Sequence, residues 1–190
     1  MTSIIFFGPP GAGKGTQAKK ISTFLNLPHI STGDVLRSKI KQNDQLALEL
    51  KKIMTSGKLV SDEILNKIVL DKLLNDCRSG FILDGYPRTL HQSQFLNDFL
   101  EQSKIKLSYI FNIDIDFKIL EERILKRSKE ENRDDDDIDV IKVRYQAYLD
   151  TTQKVSDHYM ENNKDIFYNI HGDDKIDEIT NKIIKILKND

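Results

Sequence analysis

Ser3-Ile4-Ile5-Phe6-Phe7-Gly8-Pro9-Pro10-Gly11-Ala12-Gly13-Lys14-Gly15-Thr16 is a short apolar run followed by a glycine-rich turn that carries a lysine. The run has no polar alternation, which is the pattern of a strand covered on both faces. The glycines let the backbone turn so that successive N–H groups point inward at phosphate oxygens. A helix opening at Lys14 adds the positive end of its dipole, and the lysine adds a full charge. The spacing G-x-x-x-x-G-K is met from Gly8 to Lys14, but Gly15 stands where Ser or Thr usually follows. Thr16 comes one place later, so its hydroxyl is a less direct magnesium contact. A dinucleotide turn is set aside, because Gly11-x-Gly13 would need a third small residue where Thr16 stands.

Beyond this stretch, short apolar runs alternate with segments of helical period. Strands are expected over 3–7, 28–31, 80–84, 107–113 and 166–170. Helices are expected over 14–24, 33–40, 45–54, 64–74, 89–100, 117–126, 139–162 and 175–187. This alternation predicts an α/β fold with a central parallel five-stranded sheet flanked by helices. Between Gly33 and Asn75 several helices follow one another without a strand, too many for one crossover, and these predict a small helical insert. The stretch 128–137 is acidic and lacks apolar period, which on composition alone is a solvated loop.

With 190 residues, 38% hydrophobic and 31% charged, the chain is long enough for one well-cored domain and is neither fibrous nor disordered. Its net charge of −1 supplies no global field for nucleic acid or anionic lipid, so neither nucleic acid nor a membrane is expected as partner. No apolar run approaches the ~20 residues of a membrane span. The segment 1–8 has no basic lead-in, so no signal peptide is expected. The single Cys77 forms no internal disulfide and anchors no cysteine-rich zinc site. A reduced, cytoplasmic protein is the expectation.

Three separated motifs then converge on one family. The turn Gly8–Gln17 closely resembles the start of adenylate kinases, including the Gly15-Thr16 pair after the lysine. His29-Ile30-Ser31-Thr32-Gly33-Asp34-Val35-Leu36-Arg37 resembles that family's entry to its monophosphate site. Phe81-Ile82-Leu83-Asp84-Gly85-Tyr86-Pro87-Arg88-Thr89, with Gln92, resembles its D-G-[FY]-P-R-T-x-x-Q signature. The resemblance covers essentially the whole chain. It implies a P-loop NTPase fold whose core is 1–31, 61–127 and 138–190, with a helical monophosphate-binding insert at 32–60 and a short lid at 128–137. It also implies the reaction, reversible transfer of a phosphoryl group from MgATP to AMP giving two ADP, and a monomer.

The resemblance assigns Gly11, Ala12, Gly13, Lys14, Gly15 and Thr16 to ATP, together with Arg123, Arg127, Gly172 and Asp174. To AMP it assigns Thr32, Arg37, Lys58, Leu59, Val60, Gly85, Tyr86, Pro87, Arg88, Gln92, Arg133 and Arg144. Gln92 and the Thr32 region would read the adenine, and the arginines would bind the phosphate. Asp84 ends a strand expected beside the first and would hold the hydrated Mg²⁺ of the nucleotide through water. The group acting on the transferred phosphoryl would be Lys14, Arg88, Arg123, Arg127, Arg133 and Arg144. Ser61 with Glu63 and Ile64 reads as an ordinary helix start. The long-lid form of the family often carries a cysteine-based zinc site, and the short stretch 128–137 without cysteines predicts no zinc.

Arginine usage agrees with that assignment. The chain has seven arginines (Arg37, Arg78, Arg88, Arg123, Arg127, Arg133 and Arg144) against twenty-two lysines. A planar bidentate donor is reserved for few positions, and six of the seven fall where the resemblance puts phosphate. Arg78 is left to the surface. His29, His91, His158 and His171 have no metal-ligand spacing, and only His29 stands near a motif.

Two other readings share these features. UMP/CMP kinases resemble the chain in the same three places, but there Ala usually stands at the position of Thr32 and Asn at that of Thr89. A nucleotide-driven switch would share the phosphate loop; a guanine-specific one needs N-K-x-D, and Asn163-Lys164-Asp165-Ile166 has Ile in place of the acid.

Overall fold

Strand β1 (Thr2–Phe7) lies at the centre of the sheet, and its two faces feed two separate cores. Ile5 and Phe7 point into one cluster, Ile4 and Phe6 into the other, as the two-residue period of a strand requires. The chain then runs through α1 (Lys14–Leu25), β2 (His29–Ser31), α2 (Thr32–Ile40), α3 (Gln45–Thr55), α4 (Asp62–Asp76), β3 (Gly80–Asp84) and α5 (Leu90–Gln102). After these come β4 (Tyr109–Asp114), α6 (Phe117–Glu131), α7 (Ile138–Ala147), a π-helical turn (Tyr148–Thr152), α8 (Gln153–Asn162), β5 (Phe167–His171) and α9 (Ile176–Asn189). The computed structural model describes residues 1–42, 44–77, 79–131 and 138–189, with side chains at all of these except 127–131 and 138.

The five strands pair in the order β2-β3-β1-β4-β5, all parallel, which is the expected sheet. One core sits between the sheet and α4, α5 and α8, where Leu65, Val69, Leu96, Val155 and Tyr159 are buried. The other lies under α1, α6 and α9, built on Ala18, Ile21, Leu120, Ile124 and Ile183. The order reverses about β1, so the loops leaving β1, β2 and β3 open at one edge of the sheet. Such a crevice is where open parallel sheets bind ligands.

The elements fall within a few residues of the expected bounds, with two differences of kind. α6 runs on to Glu131, through the first four residues of the stretch expected as a loop. The expected continuous helix 139–162 is interrupted by the π-helical turn Tyr148–Thr152. A π turn inserts an extra residue and shifts the phase of the side chains after it. Here it brings buried Thr152 against the loop after β3, where its hydroxyl donates to the carbonyl of Arg88 at 3.2 Å. Ser61 does precede α4, but its side chain makes no capping hydrogen bond.

Candidate active site

The loop between β1 and α1 has the backbone form that a phosphate cradle needs. Gly11 and Gly13 hold φ values of 86° and 94°, a region that side-chain-bearing residues rarely adopt. Gly13 is also the N-cap of α1, so the first N–H groups of the helix face the loop. Lys14 folds back over it and donates through Nζ to the carbonyl of Pro9 at 2.7 Å.

Asp84 ends β3 in register with Phe6, so its carboxylate stands beside the exit of the loop. Burial by itself raises the pKa of this group, yet nearby His29, Lys14 and Arg88 outweigh that and hold it below the usual carboxylate range. His29 Nε2 is buried, has no hydrogen-bond partner among the described residues, and lies 3.6 Å from Asp84 Oδ2. That contact is electrostatic, being too long for a hydrogen bond.

A broad cleft runs past the loop. It is lined by residues 10–17, by Asp84 and Gly85, and by Arg37, Arg88, Arg123, Arg144 and Asp174. A second, smaller pocket adjoins it between α2, α3 and the π turn. Thr32, Arg37, Lys58, Leu59, Val60 and Arg88 line that pocket, with Lys14 and Arg144. Gly57 closes its far side against α7, since a Cβ there would lie 3.1 Å from Val140 O and 3.2 Å from Arg144 Cγ.

Arg88 is tied to the junction by side chain and backbone alike. Its Nε donates to Gly85 O at 2.7 Å, and its backbone N–H donates to Gln92 Oε1 at 2.7 Å. Thr32 Oγ1 donates to the same Gly85 carbonyl at 2.9 Å. Gly85, at φ 77°, is compact for a reason: a Cβ there would meet Arg88 Nη2 and Thr32 Oγ1, each at 2.8 Å. Arg37 Nη2 pairs with Asp34 Oδ1 at 2.6 Å on α2. Guanidinium groups from α2, the loop after β3, α6 and α7 thus share one cleft with Lys14.

Comparison with known proteins decides the family. A family model described as adenylate kinase matches residues 6–164. An adenylate kinase of Leptospira biflexa serovar Patoc is 41% identical over 186 residues, 97% of this chain and 99% of that protein. One of Pseudarthrobacter chlorophenolicus is 40% identical over 189 residues, 99% of this chain and 97% of the relative. One of Thermotoga neapolitana is 38% identical over 216 positions, covering 98% of this chain and 97% of the relative. The chain belongs to the adenylate kinase family. It is therefore a phosphotransferase. The Thermotoga alignment needs 216 positions for 98% of this chain where the Leptospira alignment needs 186 for 97%, so the Thermotoga adenylate kinase carries a stretch without counterpart here.

Not every expected adenylate kinase contact lines the cleft. Tyr86 is 1% exposed and bonds Asn66 Oδ1 and Gln92 O through its hydroxyl, so it serves the core beneath the loop. Pro87 is buried beside it. Gln92 is wholly buried, with its amide bonded to Arg88 N–H and to Asp62. Gly172 is buried after β5 and donates its N–H to Asp114 O at 2.6 Å, whereas Asp174 does reach the cleft and pairs with Lys182 at 2.5 Å. Arg78, Arg133, residues 132–137 of the expected lid and the side chain of Arg127 lie outside the described residues, while the backbone of 128–131 continues α6.

Sequence reasoning missed Asp62 and Thr152. Asp62 lies just ahead of the helix expected over 64–74 and carries no motif. Thr152 belonged to a helix with no visible break. Neither carries a local signal, since each matters only through a residue 30 to 64 positions away.

Proposed function

We propose that the two pockets hold the two nucleotides of the adenylate kinase reaction, in which a phosphoryl group passes reversibly from ATP to AMP and gives two ADP. One observation carries the assignment: Lys14, Arg37, Arg88 and Arg144 line both pockets, so cationic groups stand where two anionic chains would meet end to end. ATP occupies the loop 11–16, with Arg123 and Arg127 along its phosphates and the turn at Gly172 and Asp174 beside its base. AMP occupies the pocket of Thr32, Arg37 and Lys58–Val60, with its phosphate on Arg88 and Arg144.

The residues fit a hydrated Mg²⁺ at Asp84. Its carboxylate is a hard oxygen donor, held ionised, and faces the loop across the space that Gly15 leaves open. When bound, the ion neutralises charge on the β- and γ-phosphates. The protein's own part is alignment and charge. Lys14 and the arginines offset repulsion between the nucleotides and follow the charge that spreads over the transferred group. The acceptor is a phosphate oxygen that is already ionised, so no general base is required. The insert (32–60) closes over the core to exclude water; the short lid (128–137) with Arg133 belongs to the same reading, residues 132–137 lying outside the described residues. The length difference from the Thermotoga relative supports the short form.

Gln92 reads the adenine once motion of the insert uncovers its amide, and Tyr86 and Pro87 act by shaping the Arg88 loop. The protein works in the cytoplasm as a monomer, a reading supported by its one buried cysteine. Among the described residues no helix is long and apolar enough to cross a membrane. A coupled assay offering AMP, CMP and UMP in parallel tests the acceptor, and ADP formation that persists without any monophosphate would contradict the reading.

A further inference from the structure

The side-chain amide of Gln92 is held from both ends by partners that act in one direction only. Its Oε1 accepts the backbone N–H of Arg88 at 2.7 Å. Its Nε2 donates to Asp62 Oδ1 at 2.7 Å. A backbone N–H can only donate and a carboxylate oxygen can only accept. Rotating the amide by half a turn would set oxygen against carboxylate and NH₂ against N–H, replacing two hydrogen bonds by two repulsions. Asp62 is itself anchored. Its Oδ2 accepts from Thr89 Oγ1 at 2.8 Å, and that hydroxyl in turn accepts the backbone N–H of Gln92 at 3.1 Å. His91 Nδ1 lies 3.2 Å from the same carboxylate oxygen. Asp62 is the first residue of α4, where the chain leaves the proposed insert.

After these two bonds the amide retains one N–H and one oxygen lone pair, in a fixed order. A 6-amino purine presents the matching pair, an N1 acceptor beside an amino donor. A 6-oxo purine presents the reverse, an N1–H donor beside an oxygen acceptor, and would match only the rotated amide. We propose that Asp62 is a specificity-determining positioning residue, which by holding Gln92 Nε2 sets the site to take 6-amino and refuse 6-oxo purine monophosphates. This rests on Gln92 reading the base, as proposed above.

The test compares kcat/KM for AMP and for inosine monophosphate, with MgATP as donor, in the parent, Asp62→Asn, Asp62→Ala and Gln92→Leu. In Asp62→Asn the new side chain can accept from Nε2 or donate to a rotated Oε1, and in Asp62→Ala it can do neither, so in both variants only the Arg88 N–H still sets the orientation. The preference for AMP over inosine monophosphate is expected to fall by about tenfold in both Asp62 variants, the Arg88 N–H keeping what remains. Simple loosening of the fold would lower both rates together and leave their ratio unchanged. If Gln92→Leu collapses the ratio and both Asp62 variants keep it, the role of Asp62 is overturned while Gln92 still reads the base. If Gln92→Leu leaves the ratio intact, the reading by Gln92 falls and this proposal with it. Should Asp62→Ala not fold, calorimetric binding of the two monophosphates to Asp62→Asn decides.

Discussion

Gly15 faces Asp84 so closely that a Cβ built on the glycine would lie 3.2 Å from Asp84 Oδ2. The departure from the common lysine-then-hydroxyl pattern is therefore a spatial match: the missing side chain leaves room for a carboxylate arriving from the next strand. Gly15→Ala should raise helix propensity in α1 and change stability by no more than about 1 kcal/mol, in the favourable direction. It should also displace the carboxylate by a few tenths of an ångström, and the Mg²⁺ concentration for half-maximal rate should rise several-fold. Thermal unfolding with a Mg²⁺ titration of the rate checks both; an unchanged Mg²⁺ requirement counts against Asp84 as the metal-side acid.

Arg88 is held at its Nε, its backbone N–H and its carbonyl, and its side chain lines the cleft. Lysine cannot keep the Gly85 bond and present a planar fork at once. Arg88→Lys should lower kcat by about 100-fold. Unfolding free energy should move by less than about 1 kcal/mol, because the side chain is only half-buried. A variant turning over near the parent rate would remove the fork from the mechanism.

Thr152 connects the helix bearing Arg144 to the loop bearing Arg88 through one hydroxyl. Thr152→Val keeps the shape and removes the donor, and should cost about 1 kcal/mol of stability. Turnover should drop with it, and Thr152→Ser should restore most of both. If Val and Ser behave alike in urea unfolding and in kcat, the bond to Arg88 has no such role.

Asp84 also predicts a pH effect whose sign follows from its lowered pKa. The unfolded chain, with an ordinary aspartate near pH 4, takes up the proton first as the pH falls. Stability supplied by this group is thus complete above about pH 5 and is lost as the pH drops below about 4 toward the folded value. Urea unfolding between pH 3 and 6 should show a steeper loss on acidification in the parent than in Asp84→Asn. Parallel curves would show that Asp84 titrates alike in both states.

Much of the site could be read from residue order, since the interactions behind it are short in range. The turn at Gly11 and Gly13, the helix opening at Lys14 and the strand ending at Asp84 are each decided within about ten residues, by apolar period and by φ values open to glycine. The family resemblance, with which the scarcity of arginine agrees, picked out residues 37, 88, 123 and 144, all of which line the cleft. Tyr86 and Pro87 were read as contacts because they sit inside a binding signature. Both are buried and fill the core beneath the loop, a placement that residue order does not reveal.

Linear order by itself determined the parallel α/β sheet, the phosphate loop and which side chains are charged, because strand and helix periods and glycine turns are properties of neighbouring residues. The orientation of Gln92 between Asp62 and Arg88, the π turn that delivers Thr152, and the fit of Gly15 to Asp84 were decided only in three dimensions. Each depends on atoms many positions apart meeting at hydrogen-bond or van der Waals distance, and no local pattern encodes such a meeting.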